Sequence, residues 1–244
     1  MQGERCRRIA DYYAAMYNSG DWCTCFAPDA DADRPQDSAI IPLGQAVDNT
    51  ELERLEARTG VSRTVFFNAV SLLALAKVER RRRCISFWIF NNRVDDITRN
   101  AFGLLLRLVP VGVTLRERES VGAFLRETAA IINDSIANIS VSDRLPVLRE
   151  SVVADYIPSD HSLSERLKGI GLESTKPFGS DAGDGITLLF ILETAQGVGF
   201  SLSMNRALYS EEKRDRILRT FREMIKRLLS IENPDEVMLE DLLS

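Results

Sequence analysis

Histidine is nearly missing from this chain: His161 is the single one in 244 residues. That excludes any site built on paired histidines. A serine triad around His161 would need a nucleophile elbow, and no G-x-S-x-G occurs. In the polar stretch IPSDHSLSE the expected role is an exposed structural histidine. Cysteine is also scarce, and Cys6, Cys23, Cys25 and Cys84 are too few for a disulfide scaffold in a chain of this size. Cys84 opens an apolar stretch and is expected in the core. The C-x-C pair Cys23 and Cys25 lacks two further zinc ligands at a matching spacing, with Cys6 and His161 the only loose candidates, so it reads as ordinary thiols near the surface. No apolar run reaches the length of about eighteen residues that spans a membrane, and MQGERCRRIADYY lacks the apolar core of a signal peptide. The expected compartment is the cytoplasm, with no membrane partner. Positive charge is in deficit: 31 Lys and Arg against 36 Asp and Glu leave a net charge of −5, which excludes a general nucleic-acid surface.

What is present is enough apolar material for a sizeable core, 45% of the residues, at a length that suits one large domain or two small ones. Ile9, Tyr12, Tyr13 and Met16 predict a helix over residues 1 to 19, ended by Gly20. The aspartate- and proline-rich APDADADRPQDS reads as a loop, so residues 1 to 39 lead into a unit covering 40 to 244. A short strand AIIPL follows. Thr50 and Glu53 are spaced as a capping box, predicting a helix from there to Gly60. The next helix, from about Ser62 to Glu79, has apolar residues around its whole circumference and is expected at the centre of the fold.

Residues 84 to 90 form an apolar stretch without polar alternation, the pattern of a strand covered on both faces. A second strand is expected over 104 to 115, and Pro110, which has no N–H to donate, calls for an edge or bulge there. Ser120 is placed to cap a helix running through Ile136. Residues 140 to 185, with three prolines and a GSDAGDG run, read as one long irregular segment of the kind that serves a site or an interface. ITLLFILE and VGFSLSMN then flank Thr194 to Gly197 as a β-hairpin, and Ser210 caps a last amphipathic helix. The fold class is therefore α/β, with a mixed, partly antiparallel sheet and helices packed on it.

Two charged stretches invite site readings. Asp29, Asp31 and Asp33 alternate as the first ligands of a calcium loop do, but Arg34, Pro35 and Ile40 stand where that loop needs Gly, a free backbone and Glu, so a solvated acidic loop is expected and no metal site. ERRRRC could bind phosphate, and equally reads as a charged turn at the C-terminus of a buried helix. Asn91, Asn92 and Arg93 are harder to set aside. They end a strand covered on both faces, where polar groups need partners and where sites are built; Arg93 could equally be a structural residue paired with Asp95 or Asp96.

The order of these pieces carries a resemblance. GVSRTVFFNAVSLLALAKV, then ISFWIFNNR, then AFGLLLRLVPVGVTL, then SVGAFLRETAAIINDSI resembles the C-terminal half of a nonribosomal peptide synthetase condensation domain. SVSDRLPVLRE and the closing hairpin with LYSEEKRDRILRTFREMIKRLLS resemble that family's later elements, so the similarity covers roughly residues 40 to 244. The resemblance implies one lobe of a chloramphenicol acetyltransferase-like two-lobed fold, in which the lobes enclose a tunnel for thioesters held on the phosphopantetheine of carrier proteins. It places the family's general base in a His-His-x-x-x-Asp-Gly motif of the N-terminal lobe, which a sequence with one histidine cannot contain. The chain is thus expected to be an isolated C-terminal lobe, without catalytic residues of its own and inactive without its N-terminal lobe. Its expected partners are that lobe, a peptidyl or acyl carrier protein, and a second copy in a homodimer. Asn91, Asn92 and Arg93 would line the interlobe cleft or tunnel. Two further readings stand beside it: the same lobe of an alcohol acyltransferase or wax-ester synthase-like enzyme, and a non-catalytic module that docks a carrier protein.

Overall fold

The computed structural model describes residues 4, 7, 11, 22–30, 36–44, 46–90, 107–116, 118–137, 150–157, 185–194 and 197–244. The helix expected over 1 to 19 lies outside these except for Glu4, Arg7 and Asp11, which are helical. The described elements are strands β1 (Ser38–Pro42), β2 (Arg83–Phe90), β3 (Arg107–Thr114), β4 (Glu150–Ile157), β5 (Gly185–Thr194) and β6 (Gly197–Asn205). With them run helices α1 (Asn49–Thr59), α2 (Arg63–Glu79), α3 (Val121–Ala137), α4 (Glu211–Ser230) and α5 (Leu239–Leu243). The strands form one mixed sheet in the order β1-β6-β5-β4-β2-β3. The β2–β4 and β4–β5 pairs are parallel and the other three antiparallel.

The apolar girdle of α2 has the meaning its sequence suggests. Thirteen of its seventeen residues are buried, from Val65 to Val78, with the sheet on one side and helices α3, α4 and α5 on others. Each fully buried Leu or Phe there contributes about 1.5 to 3 kcal/mol. The two polar residues inside the girdle donate locally, Asn68 Nδ2 to Thr64 O at 2.9 Å and Ser71 Oγ to Phe67 O at 3.2 Å, while Asn68 Oδ1 is buried without a hydrogen-bond partner. Arg80, in the left-handed region at φ 54°, ends the helix by donating to Ala76 O, so the start of the arginine run is a helix-terminating turn.

Helices α1 to α5 all pack on one face of the sheet. Cys84, Val111, Val152, Ala154, Leu189, Ile191, Phe200 and Leu202 meet them there. Ile85, Phe87, Ile89, Val153, Ile186 and Leu188 point the other way and cluster with Trp22. Residues 22–25 are drawn into the sheet where β2 and β4 part: Cys23 exchanges hydrogen bonds with Arg83 and Ile85, and Thr24 O accepts from Val152 N at 2.9 Å. Pro110 sits in β3, an edge strand, as its missing donor requires.

Two expectations need correction. The cap of α1 is Asp48 and not a Thr50–Glu53 box: Asp48 Oδ1 accepts from Thr50 N at 2.8 Å and Thr50 Oγ1 at 2.7 Å, and Gly60 at φ 70° closes the helix. Asp48 competes better because its carboxylate accepts both bonds at once and faces the positive end of the helix. Residues 140 to 185 are not irregular throughout, since ESVVADYI forms β4 in the middle of the sheet. Its apolar run, Val152-Val153-Ala154, is too short to stand out by periodicity, and a parallel strand with neighbours on both sides shows no alternation. Ser120 and Ser210 do cap their helices, accepting from Ala123 N and Lys213 N at 3.2 Å each. Among the described residues no single helix is long and apolar enough to cross a membrane.

Candidate functional site

Because β2, β4 and β5 run parallel, their carboxyl ends Phe90, Ile157 and Thr194 fall on one edge of the sheet, the edge where open α/β folds place their ligands. The N-termini of α1 and α2 meet the same edge. Asn49, the first residue of α1, donates to Thr194 O at 3.2 Å. Arg63, the first residue of α2, donates through Nη1 to Glu193 Oε1 at 2.7 Å and to Asn49 Oδ1 at 3.2 Å, and through Nε to Glu56 Oε2 at 3.3 Å. Glu56 also accepts the Arg63 backbone N–H at 3.1 Å, which caps the start of α2 where Ser62 makes no side-chain bond.

Tyr156 completes this network, its hydroxyl donating to Glu193 Oε2 while its ring packs on Phe67 at 5.1 Å between centroids. Burial works against the Arg63 charge, but the bonded Glu56 and the charge of Glu193 outweigh it and hold the pKa above its ordinary value. Burial, reinforced by donation to Glu193, pushes the Tyr156 phenol upward, so it stays protonated. This cluster fixes both helix starts to the strand ends. A phenol held as a donor to an ionised carboxylate, with a guanidinium on the same carboxylate, is a positioning device rather than an acid–base pair.

Among the described residues, the opposite face of the same edge carries the ionisable group Asp155. Asp155 stands on β4 beside Val153, across from Phe190, on the face that the described helices do not cover. Desolvation pushes its carboxyl up to about 6. A carboxyl poised there gains or loses a proton near neutral pH, the property looked for at a site of proton transfer. Two exposed large hydrophobics, Leu108 and Leu192 at 43% and 46%, share this face, as their pairing with Ile89 and Ile157 shows.

The residues singled out from the sequence divide as follows. Asn91, Asn92, Arg93 and His161 lie outside the described residues; β2 ends at Phe90, immediately before the triplet. Cys84 is buried as expected, and Cys23 and Cys25 are half-buried. Cys23 pairs opposite Cys84 across a parallel bridge, and the hydrogen bond between their thiols lowers the Cys23 pKa against the pull of burial. Burial and the Glu150 carboxylate push Cys25 up to about 11. Of the acidic loop, Asp29 accepts from Ser210 N and Oγ at 2.7 Å each, tying the loop to the start of α4. Among the described residues no group of three or more His, Cys, Asp or Glu could hold a metal.

The sequence reading did not single out Arg63, Tyr156, Asp155 or Glu193. Arg63 left a signal: a cation at the N-terminus of a helix opposes the dipole and needs acids nearby. Asp155 also left one, a lone acid inside VVADYI, masked by the assignment of that stretch to a loop.

No protein-family model and no curated protein matches this sequence. Solved structures do share its fold. The condensation domain of the monacolin K polyketide synthase MokA superposes with a TM-score of 0.69 at 12% identity, over 98% of this chain and 60% of that one. The PapA2 acyl transferase gives 0.69 at 14% identity, over 93% and 52%. A chain in the complex of the X-domain and OxyB from teicoplanin biosynthesis gives 0.70 at 14% identity, over 98% and 55%. The fold is that of condensation and acyltransferase domains, and this chain spans between about half and three fifths of each of these three chains.

Proposed function

We propose that this chain is one lobe of a condensation-type acyltransferase of a nonribosomal peptide synthetase, corresponding to the C-terminal lobe, and forms one wall of the tunnel for carrier-bound thioesters. The observation that carries the reading is the coverage: the likeness runs through 98% of this chain yet accounts for 60% of the MokA condensation domain. The exposed Leu108 and Leu192 on the sheet face away from the described helices support it, since apolar surface of that kind is commonly covered by association.

In such an enzyme the acceptor amine attacks the carbonyl of the donor thioester, the carbon–sulfur bond breaks, and the amine proton must leave. A positioned base contributes a factor of about a hundred to ten thousand to that step. The residues of this chain supply no two-histidine motif, so the base comes from the partner lobe while this lobe binds and orients. The phosphopantetheine arm belongs to the carrier-protein substrates. Asn91, Asn92 and Arg93, next in sequence after the end of β2, line the tunnel in this reading.

A variant of this reading is the same lobe of an alcohol acyltransferase or wax-ester synthase-like enzyme, and the likeness to the PapA2 acyl transferase is compatible with it. A second reading is a non-catalytic module of this fold that docks a carrier protein, and a chain of this fold in the complex of the X-domain and OxyB is compatible with a protein-binding role. Sedimentation of the chain mixed with an N-terminal lobe bearing the histidine motif tests the lobe reading. A one-to-one complex is expected; a chain that stays separate at every ratio would overturn it.

A further inference from the structure

The chain is acidic overall, and a number of its cations are paired. Arg63, Lys77, Arg116, Arg126, Arg206, Lys213 and Arg227 each have a carboxylate within ion-pair distance. Four others converge instead on one groove of about 580 Å³ between α1 and α4. Arg54 and Arg58 stand one turn apart on α1, Arg222 and Lys226 one turn apart on α4, and the acidic residue lining the groove is Glu51. Like charges at that helical spacing cost stability. Among the described residues no carboxylate lies within ion-pair distance of any of the four.

Two of the guanidinium groups are fixed without being neutralised. Arg222 donates through Nε to Leu43 O at 3.1 Å and through Nη2 to Pro42 O at 3.2 Å. Arg58 donates through Nη2 to Leu229 O, and its Nε is buried with no hydrogen-bond partner. Arg54 and Lys226 are exposed at the rim. Between them the walls include Leu43, Val47, Phe200 and Ile225, so an apolar floor lies beneath a cationic rim. The volume suits a small ligand. Three guanidinium groups and an ammonium match a head group with several oxygens and more than one negative charge.

We propose that this groove binds a phosphate monoester carrying a short apolar group, with the phosphate between Arg54, Arg58, Arg222 and Lys226 and the apolar part against Phe200 and Val47. The site is independent of the lobe reading above, and failure of either leaves the other standing. The probe is hexyl phosphate, titrated calorimetrically into the whole chain, with inorganic phosphate and hexanol as the separate halves.

Saturable one-to-one binding is expected, at least tenfold tighter than either half and weakened by added salt. The Arg54→Ala/Lys226→Ala variant should bind at least tenfold more weakly with an unchanged melt, because neither side chain holds the fold. Arg219→Ala, an exposed α4 cation outside the groove, should bind as wild type. No saturable binding, binding unchanged in the double variant, or inorganic phosphate binding as tightly as the ester would each overturn the proposal. Association seen only with micelles or anionic vesicles would overturn it too, since that is a surface effect.

Discussion

At the scale of single residues, the buried acid and the buried ion pair make opposite predictions. The folded-state pKa of Asp155 is about 6, above the value of about 3.9 for an unfolded chain. The folded form therefore holds its proton more tightly, and stability is lost as pH rises from about 4 to about 6. Asp155→Asn should gain on the wild type through that window, reaching roughly 2 to 3 kcal/mol above pH 6. Urea unfolding across the window checks this, and a difference that does not change with pH would contradict it. Arg63→Met does the reverse, since it leaves Glu193 and Glu56 without their cation at an edge where Arg63 and Glu193 are only 13% and 15% exposed. A loss of roughly 3 kcal/mol is expected at neutral pH, against almost none for Arg126→Met, whose ion pair with Asp235 is more than half exposed on both sides. Gly197 is fixed by its surroundings: at φ 136° it has no room for a side chain, and a Cβ there would lie 2.5 Å from Val47 O. Gly197→Ala should lower the melting temperature by separating the paired backbones of Val47 and Val198.

At the scale of elements, legibility followed the strength of the local signal. The girdle of α2, the hairpin of β5 and β6, and the serines that cap α3 and α4 each carry their cause within a few residues, and all were readable. β4 was not readable, because its stability comes from parallel neighbours far along the chain and its own run is three apolar residues beside an acid. The cost of that miss was the site, since Asp155 and Tyr156 both ride on β4. Asp48 was passed over for a similar reason: a two-residue motif, Thr50 with Glu53, looked complete without it. Helix α2 is expected to dominate stability. Phe67 is 1% exposed and meets Phe66, Tyr156 and Phe200, so Phe67→Ala should cost about 3 to 5 kcal/mol in chemical denaturation. A loss below about 1 kcal/mol would mean that the centre of the fold lies elsewhere.

At the scale of the whole molecule, the sheet presents two unlike faces. One is sealed by helices, while on the other Leu108 and Leu192 remain exposed. In the proposed reading this face meets another lobe or, when the other is absent, a second copy of itself, and a concentration-dependent dimer is expected in sedimentation. The measurement that tests the account most directly is turnover of a carrier-bound donor thioester with an acceptor amine. It is made with this chain, with an N-terminal lobe bearing the histidine motif, and with the two mixed. The account predicts no turnover by this chain alone and turnover by the mixture. Robust turnover by this chain alone, abolished by His161→Ala, would contradict it.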